Sequence, residues 1–384
     1  MYKVLTLNKI SAIGLDQLCK EKYQIGDNIE DPDGIILRSF AMHDMQLPES
    51  LLAVARAGAG VNNIPVEKCS KEGIVVFNTP GANANAVKEL AIAALLISSR
   101  KIIDGVNWAQ TLTGDDVDKQ VEKGKSAFAG PEVLGKKLGV IGLGAIGVMV
   151  ANVACALGMD VIGFDPYLSV EGAWGLSRAV QKASSLKEIY ENCDYITLHV
   201  PLTPETKGMI GNEMLSSAKK GIRILNFSRG GLVDTKAILN AIDEEIVSCY
   251  ITDFPTAEML GITNIITIPH LGASTPESEE NCAEMAAAEL KEYLENGNII
   301  NSVNFPNCSM EREGEKRVCV IHTNTPNKLS QISSLFASEN ININHMINNS
   351  KGEYAYTILD VEVVPDDVVA KVKAIDGIIS VRII

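Results

Sequence analysis

Three residues of this 384-residue chain could carry a carbonyl–alcohol redox reaction: Arg229, Glu258 and His270. Such a reaction needs a cation to hold and polarise the substrate, a proton donor and acceptor that works near neutral pH, and a carboxylate to tune that donor. Arg229 supplies the cation, because a guanidinium forks onto a carboxylate in fixed geometry. His270 supplies the acid and base; it is one of only five histidines, and it ends an apolar run just before Gly272. Glu258, with Asp253 as the alternative, supplies the carboxylate that hydrogen-bonds the imidazole and raises its pKa.

Hydride chemistry also needs a redox cofactor, and residues 138–165, LGVIGLGAIGVMVANVACALGMDVIGFD, have the form that binds one. The pattern predicts a strand over 138–141, a turn through Gly142, Gly144 and Gly147, a helix over 146–157 closed by Gly158, and a second strand ending on Asp165. Gly142 allows the tight turn, Gly144 keeps a side chain away from a pyrophosphate, and Gly147 lets the helix lie close to the strand. The helix N-terminus then offers its unpaired N–H groups and positive dipole end to phosphate. Asp165 stands where a carboxylate accepts hydrogen bonds from both adenine-ribose hydroxyls and repels a 2′-phosphate, so NAD is expected rather than NADP. A membrane span over 139–159 is disfavoured by the three glycines near its start and by Asp160 and Asp165 at its far end.

The surrounding elements must hold these groups. Residues 2–80 alternate short apolar runs (4–7, 34–37, 51–57, 74–77) with a helical stretch at 15–20 and polar turns, which predicts a parallel sheet. Residues 86–112 read as one long apolar helix, either core or interface. Further strands at 195–200, 222–227 and 265–268 end beside His199, Arg229 and His270, the end at which parallel sheets bind ligands. A helix over 276–296 is punctuated by Thr275, Pro276 and Gly297. After a polar linker, residues 317–384 give the order β-α-β-β-α-β of a ferredoxin-like domain. The expected fold class is therefore α/β, with two Rossmann-like or flavodoxin-like parallel-sheet lobes and this C-terminal domain. Its expected units are a discontinuous substrate lobe of 1–86 and 276–305, a coenzyme lobe of 87–275, a linker over 306–316 and the domain 317–384.

A formal net charge of −14 argues against nucleic acid or an anionic membrane as partner, and makes an anionic substrate depend on locally placed arginine or lysine. Eight cysteines without a CxxC pair or Cys/His cluster suggest free thiols in a reducing cytoplasm and no metal site. The opening MYKVLTLNKIS shows no apolar core of signal-peptide length, which gives the same cytoplasmic expectation.

GLGAIG with FDPY, then HVPLTPET, NFSRGGLVD, DFPTAE and PHLGAST, in that order, resemble the D-2-hydroxyacid dehydrogenases from about residue 35 to 305. The C-terminal region, with HTNTP and NININ, resembles an ACT domain, although Pro326-Asn327 stands where that family has Pro-Gly. The resemblance implies that Arg229 binds substrate carboxylate and carbonyl oxygen, that His270 is the acid and base, and that Glu258 supports it. It implies NAD contacts from Gly142, Gly144, Ala145, Ile146, Gly147, Asp165, His199, Pro201, Thr206 and Asp253. Substrate-lobe loops would be Arg38-Ser39 and Ala57-Gly58-Ala59-Gly60, with Arg38, Arg56 and Lys88 as candidate phosphate binders. His322, Asn324 and Asn342 match positions for an amino-acid effector, L-serine. The pairing of the two regions implies oxidation of 3-phosphoglycerate by a homo-oligomer, dimer or tetramer. Reduction of glyoxylate or hydroxypyruvate is the alternative activity, and a non-enzymatic, NAD-sensing regulator is the alternative class.

Overall fold

Short apolar runs become strands wherever helices cover both of their faces. The computed structural model describes residues 1–384, apart from the side chain of Asp366, and divides into two compact units, Met1–Asn83 with Pro276–Ile384 and Ala84–Thr275. In the first unit five parallel strands lie in the order Tyr23–Gly26, Tyr2–Leu7, Gly34–Leu37, Ala53–Arg56, Val75–Asn78. This is the flavodoxin-like order. The central strand GIIL is buried at every residue, as an all-parallel sheet requires. The long helix Pro276–Asn296 seals one face with Ala286, Ala287, Leu290 and Leu294. Gly14 is required there: a Cβ on it would come within 2.4 Å of the Ala283 backbone. Gly297, at φ +71°, closes the helix in the left-handed conformation expected of a residue just past a C-terminus.

The C-terminal sheet is antiparallel, in the order Ile343–Lys351, Tyr354–Val361, Lys316–Thr323, Ile378–Ile383, with helices Lys328–Ser338 and Asp366–Lys373. Alternation in its first strand assigns its two faces. Val318 and Val320 meet Ile332, Phe336 and Val372 of its own helices. Cys319 and Ile321 turn the other way and join Phe77, Tyr293 and Phe305 of the first lobe's core. At the seam lies Arg317, fully buried, whose guanidinium grips Asp360 with both prongs at 2.7 and 2.8 Å. Its remaining donors reach the carbonyls of Asn296, Met310 and Glu311. Burial alone would raise the Asp360 pKa, but Arg317 and the Glu313 amide hold it below the usual carboxylate range.

The second unit carries seven parallel strands in the order Ile265–Thr267, Val247–Thr252, Ile222–Asn226, Tyr195–Leu198, Lys137–Ile141, Asp160–Phe164, Gln181–Lys182. Chain order reverses on either side of Lys137–Ile141, which makes that strand's end the switch point where such sheets bind ligands. The single helix expected over 86–112 is two helices, Ala84–Arg100 and Ile102–Ala109, parted at Lys101 with φ +43°. Ser98 bonds back to the Leu95 carbonyl just before this break, a local competitor of helical pairing. The helix expected over 15–20 is instead one turn, Ala12–Leu15. Among the described residues no helix is long and apolar enough to cross a membrane.

Two substitutions test this packing. Arg317→Met leaves the Asp360 carboxylate buried and unpaired, and is expected to cost about 3–5 kcal/mol of stability, read as a lowered unfolding midpoint. Glu289, 6% exposed, accepts one hydrogen bond from Asn301, and burial pushes its pKa up from 4.5 to about 8. The folded state therefore holds a proton that the unfolded state releases, so stability falls as pH rises through this window. Glu289→Gln should flatten the dependence by on the order of a few kcal/mol at pH 8 in denaturant titrations across pH 5 to 9. Parallel wild-type and variant profiles would contradict this.

Candidate functional site

The turn after strand Lys137–Ile141 is built by backbone meeting backbone. Gly142 has φ +91°, and a Cβ on it would lie 2.5 Å from the His199 carbonyl oxygen. A Cβ on Gly147 would lie 1.9 Å from the Gly142 carbonyl oxygen, so the helix Ala145–Ala156 can start this close to the strand only with glycine there. Gly144 is the residue before the helix, no side chain caps the helix, and a Cβ on Gly144 would meet open space. Ala145 and Ile146 open the helix with unpaired N–H groups. Asp165 anchors the turn, accepting from the Leu143 amide and the Tyr167 amide at 2.8 Å each. A carboxylate has room for more donors than these two.

Neighbouring strand ends bring further groups into this unit. His199 shares a hydrogen bond of 2.9 Å through Nε2 with Thr197, while its buried Nδ1 has no protein partner. Desolvation pushes its pKa down to about 4, so the ring is neutral at pH 7. Pro201 and Thr206 form one turn, in which the Thr206 hydroxyl donates to the Pro201 carbonyl at 2.6 Å. Asp253 is 1% exposed; it accepts from the Gly272 amide, and its other oxygen has no protein partner. Burial raises its pKa against the pull of His270, the Gly272 amide and Arg229. These orphaned atoms, the glycine turn and the ribose-side acid suit a dinucleotide.

The structure brings Arg229, Asp253 and His270 together. Phe254 joins them: its ring lies 4.9 Å from that of His270, and its Cβ packs against Gly230. Arg229 and His270 are both exposed. Glu258, the carboxylate expected to support His270, has its surroundings set here by other groups. The short helical turn Ala257–Met259 places Glu258 in solvent, where its own backbone amide, the Thr256 hydroxyl and Lys236 lower its pKa. Asp253 is the carboxylate that interacts with His270 here.

Three polar residues were not among the sequence candidates: Thr197, Asn226 and Thr252, all buried at the ends of apolar strands. Asn226 donates to the Arg229 carbonyl at 2.9 Å and accepts from the Ser228 amide, while Thr252 accepts from the Phe254 amide. Their signal was present in YITLHV, RILNFS and CYITDF, where each apolar run carries one polar residue near its end.

In the other unit, Arg38 pairs with Glu279 at 2.6 Å, and the Ser39 amide donates to Asn8. The Arg56 Nε donates to the Arg38 carbonyl, and Gly58, at φ +151°, lies where a Cβ would strike the Arg56 guanidinium. Asn78 donates to the Ala59 carbonyl at 2.6 Å, and Gly60 follows on the same loop. Lys88, in the unit Ala84–Thr275, pairs with Glu89. Among the effector candidates, His322 is buried between the Thr323 carbonyl and the Thr357 hydroxyl. Asn324 bonds to the Gly352 carbonyl and Asn342 to Asn344, so the three share no partner. Among the described residues no cluster of three or more His, Cys, Asp or Glu could hold a metal ion.

The family profile "D-isomer specific 2-hydroxyacid dehydrogenase, NAD binding domain" matches residues 92–272. The D-3-phosphoglycerate dehydrogenase of Haemophilus influenzae is 32% identical over 380 residues, 94% of this chain and 88% of its own length. The enzyme of the same name from Methanocaldococcus jannaschii is 36% identical over 303 residues, and there the match spans 56% of the relative's length. Among solved structures, NAD+-bound 3-phosphoglycerate dehydrogenase of Entamoeba histolytica is similar with a TM-score of 0.62 at 28% identity, over 79% of this chain and 98% of that one. The chain belongs to the D-isomer specific 2-hydroxyacid dehydrogenase family.

Proposed function

We propose that the protein oxidises 3-phospho-D-glycerate to 3-phosphohydroxypyruvate with NAD, the first step of L-serine synthesis. The observation that carries this is the 32% identity to a D-3-phosphoglycerate dehydrogenase across 94% of the chain, combined with Arg229 and His270 following the two strands that flank Val247–Thr252. The turn Gly142–Gly147 and the helix start would hold a pyrophosphate, and Asp165 the adenine-ribose hydroxyls. His199, Pro201, Thr206 and Asp253 would make further contacts. NAD supplies a hydride acceptor when bound. Arg229 forks onto the substrate carboxylate and its C2 oxygen, and the imidazole of His270 takes the hydroxyl proton as C2 loses hydride. Arg38, Ser39, Arg56, Gly58, Ala59 and Gly60 form the substrate loops, with Arg38, Arg56 and Lys88 as phosphate contacts.

The division into a substrate lobe, a coenzyme lobe and a regulatory ACT domain over 317–384 belongs to the same reading. Asn327 supports it: φ +69° is the left-handed conformation that the family's glycine would adopt, and asparagine tolerates it. L-Serine is the proposed effector, held by His322, Asn324 and Asn342. Exposed Ile102, Ile103 and Val106 on one short helix support a homo-oligomer, and the place of action is the cytoplasm.

His270→Gln should lower kcat by roughly 10²–10⁴-fold in NAD reduction. Asp253→Asn should move the acidic limb of the kcat/KM profile to lower pH, because a negative neighbour of the base is removed. Glu258→Gln should move it less, and the reverse order would contradict this assignment.

A further inference from the structure

A cavity of about 880 Å³ opens in the unit of Met1–Asn83 and Pro276–Ile384, between the segment 301–307 and the strand Ile343–Lys351. Its charged and carboxamide lining, Lys351 with Asn78, Asn301, Asn307, Asn348 and Asn349, includes no carboxylate. In a chain of net charge −14 such a wall is a local exception. Its hydrogen bonds fix which groups face a ligand's chemistry. Lys351 Nζ donates to the Ser302 carbonyl at 3.0 Å, which uses one of its three protons. Asn348 commits its oxygen to the Thr357 hydroxyl, leaving its NH₂ as donor. Asn78 and Asn349 commit their NH₂ groups to the carbonyls of Ala59 and Asn307, leaving their oxygens as acceptors. Asn301, in the same wall, donates to Glu289, whose burial keeps it largely protonated near neutral pH.

We propose that this cavity is a second ligand site, taking a small oxyanion on Lys351 and the Asn348 amide, with a hydroxyl or amino donor of the ligand on the Asn78 and Asn349 oxygens. Two of its walls are wired outward. Asn78 holds the Ala59 carbonyl of the loop Ala57–Gly60, so occupancy that moves Asn78 acts on that loop. Asn348 connects through the Thr357 hydroxyl to His322 Nε2, at 2.8 and 2.9 Å. The site thus lies between the C-terminal sheet and a loop of the first lobe. It stands apart from the dehydrogenase reading, because its test is binding rather than turnover.

Calorimetric titration of the full chain with inorganic phosphate and, separately, succinate distinguishes a phosphate from a carboxylate ligand. Saturable binding of at least one probe is expected, weakened about ten-fold or more in Lys351→Met, as loss of a charged hydrogen bond implies, and largely retained in Lys351→Arg. Amide exchange at residues 57–60 should slow on saturation of the wild type and not of Lys351→Met. Unfolding midpoints of both variants report whether the fold is intact. Absence of saturable binding by either probe, or equal affinity in a folded Lys351→Met, overturns the proposal.

Discussion

The site depends on one close approach, that of the Gly142 carbonyl to the start of the helix Ala145–Ala156. With a hypothetical Cβ on Gly147 only 1.9 Å from that oxygen, any other residue would push the helix off the sheet. Held in place, the helix start lies at the switch point of the seven-stranded sheet, and Asp165 ties the turn to the next strand through the Leu143 amide. Phosphate-binding geometry is therefore a consequence of backbone packing, and no charged side chain is needed to create it.

Around this turn the protein spends buried polar groups on positioning. Thr197, Asn226 and Thr252 stand at or next to the ends of three strands, and each bonds to a group two or three residues ahead in the chain. Arg229 can be exposed and long yet leave from a fixed backbone, since Asn226 holds its carbonyl. Asp253 is nearly inaccessible and burial raises its pKa, while His270, the Gly272 amide and Arg229 draw it the other way. Groups whose environments oppose one another in this manner are typical of sites that move protons.

Much of this was legible in sequence, and for identifiable reasons. Apolar runs of four or five residues pointed to the parallel strands, glycine spacing to the turn, and the β-α-β-β-α-β order of elements to the C-terminal sheet. The bends were harder to read. Nothing in SSRKII marks Lys101 as left-handed, and the strand Tyr23–Gly26 is only four residues with one of them exposed. Long-range pairs were out of reach: Arg317 and Asp360 are 43 residues apart, and Arg317 falls where a polar stretch passes into a strand. The orientation of Glu258 was equally invisible, because a short helical turn decides which way its carboxylate points.

Arg229 and His270 are proposed to act on one phosphorylated hydroxy acid. Initial-rate NADH formation with D-3-phosphoglycerate, compared with unphosphorylated D-glycerate in the same assay, tests it most directly. Turnover of the phosphorylated acid, with little or none of D-glycerate, is the expected result. No turnover of D-3-phosphoglycerate, with activity on glyoxylate or hydroxypyruvate in the reverse direction, would keep the hydride chemistry and contradict the substrate.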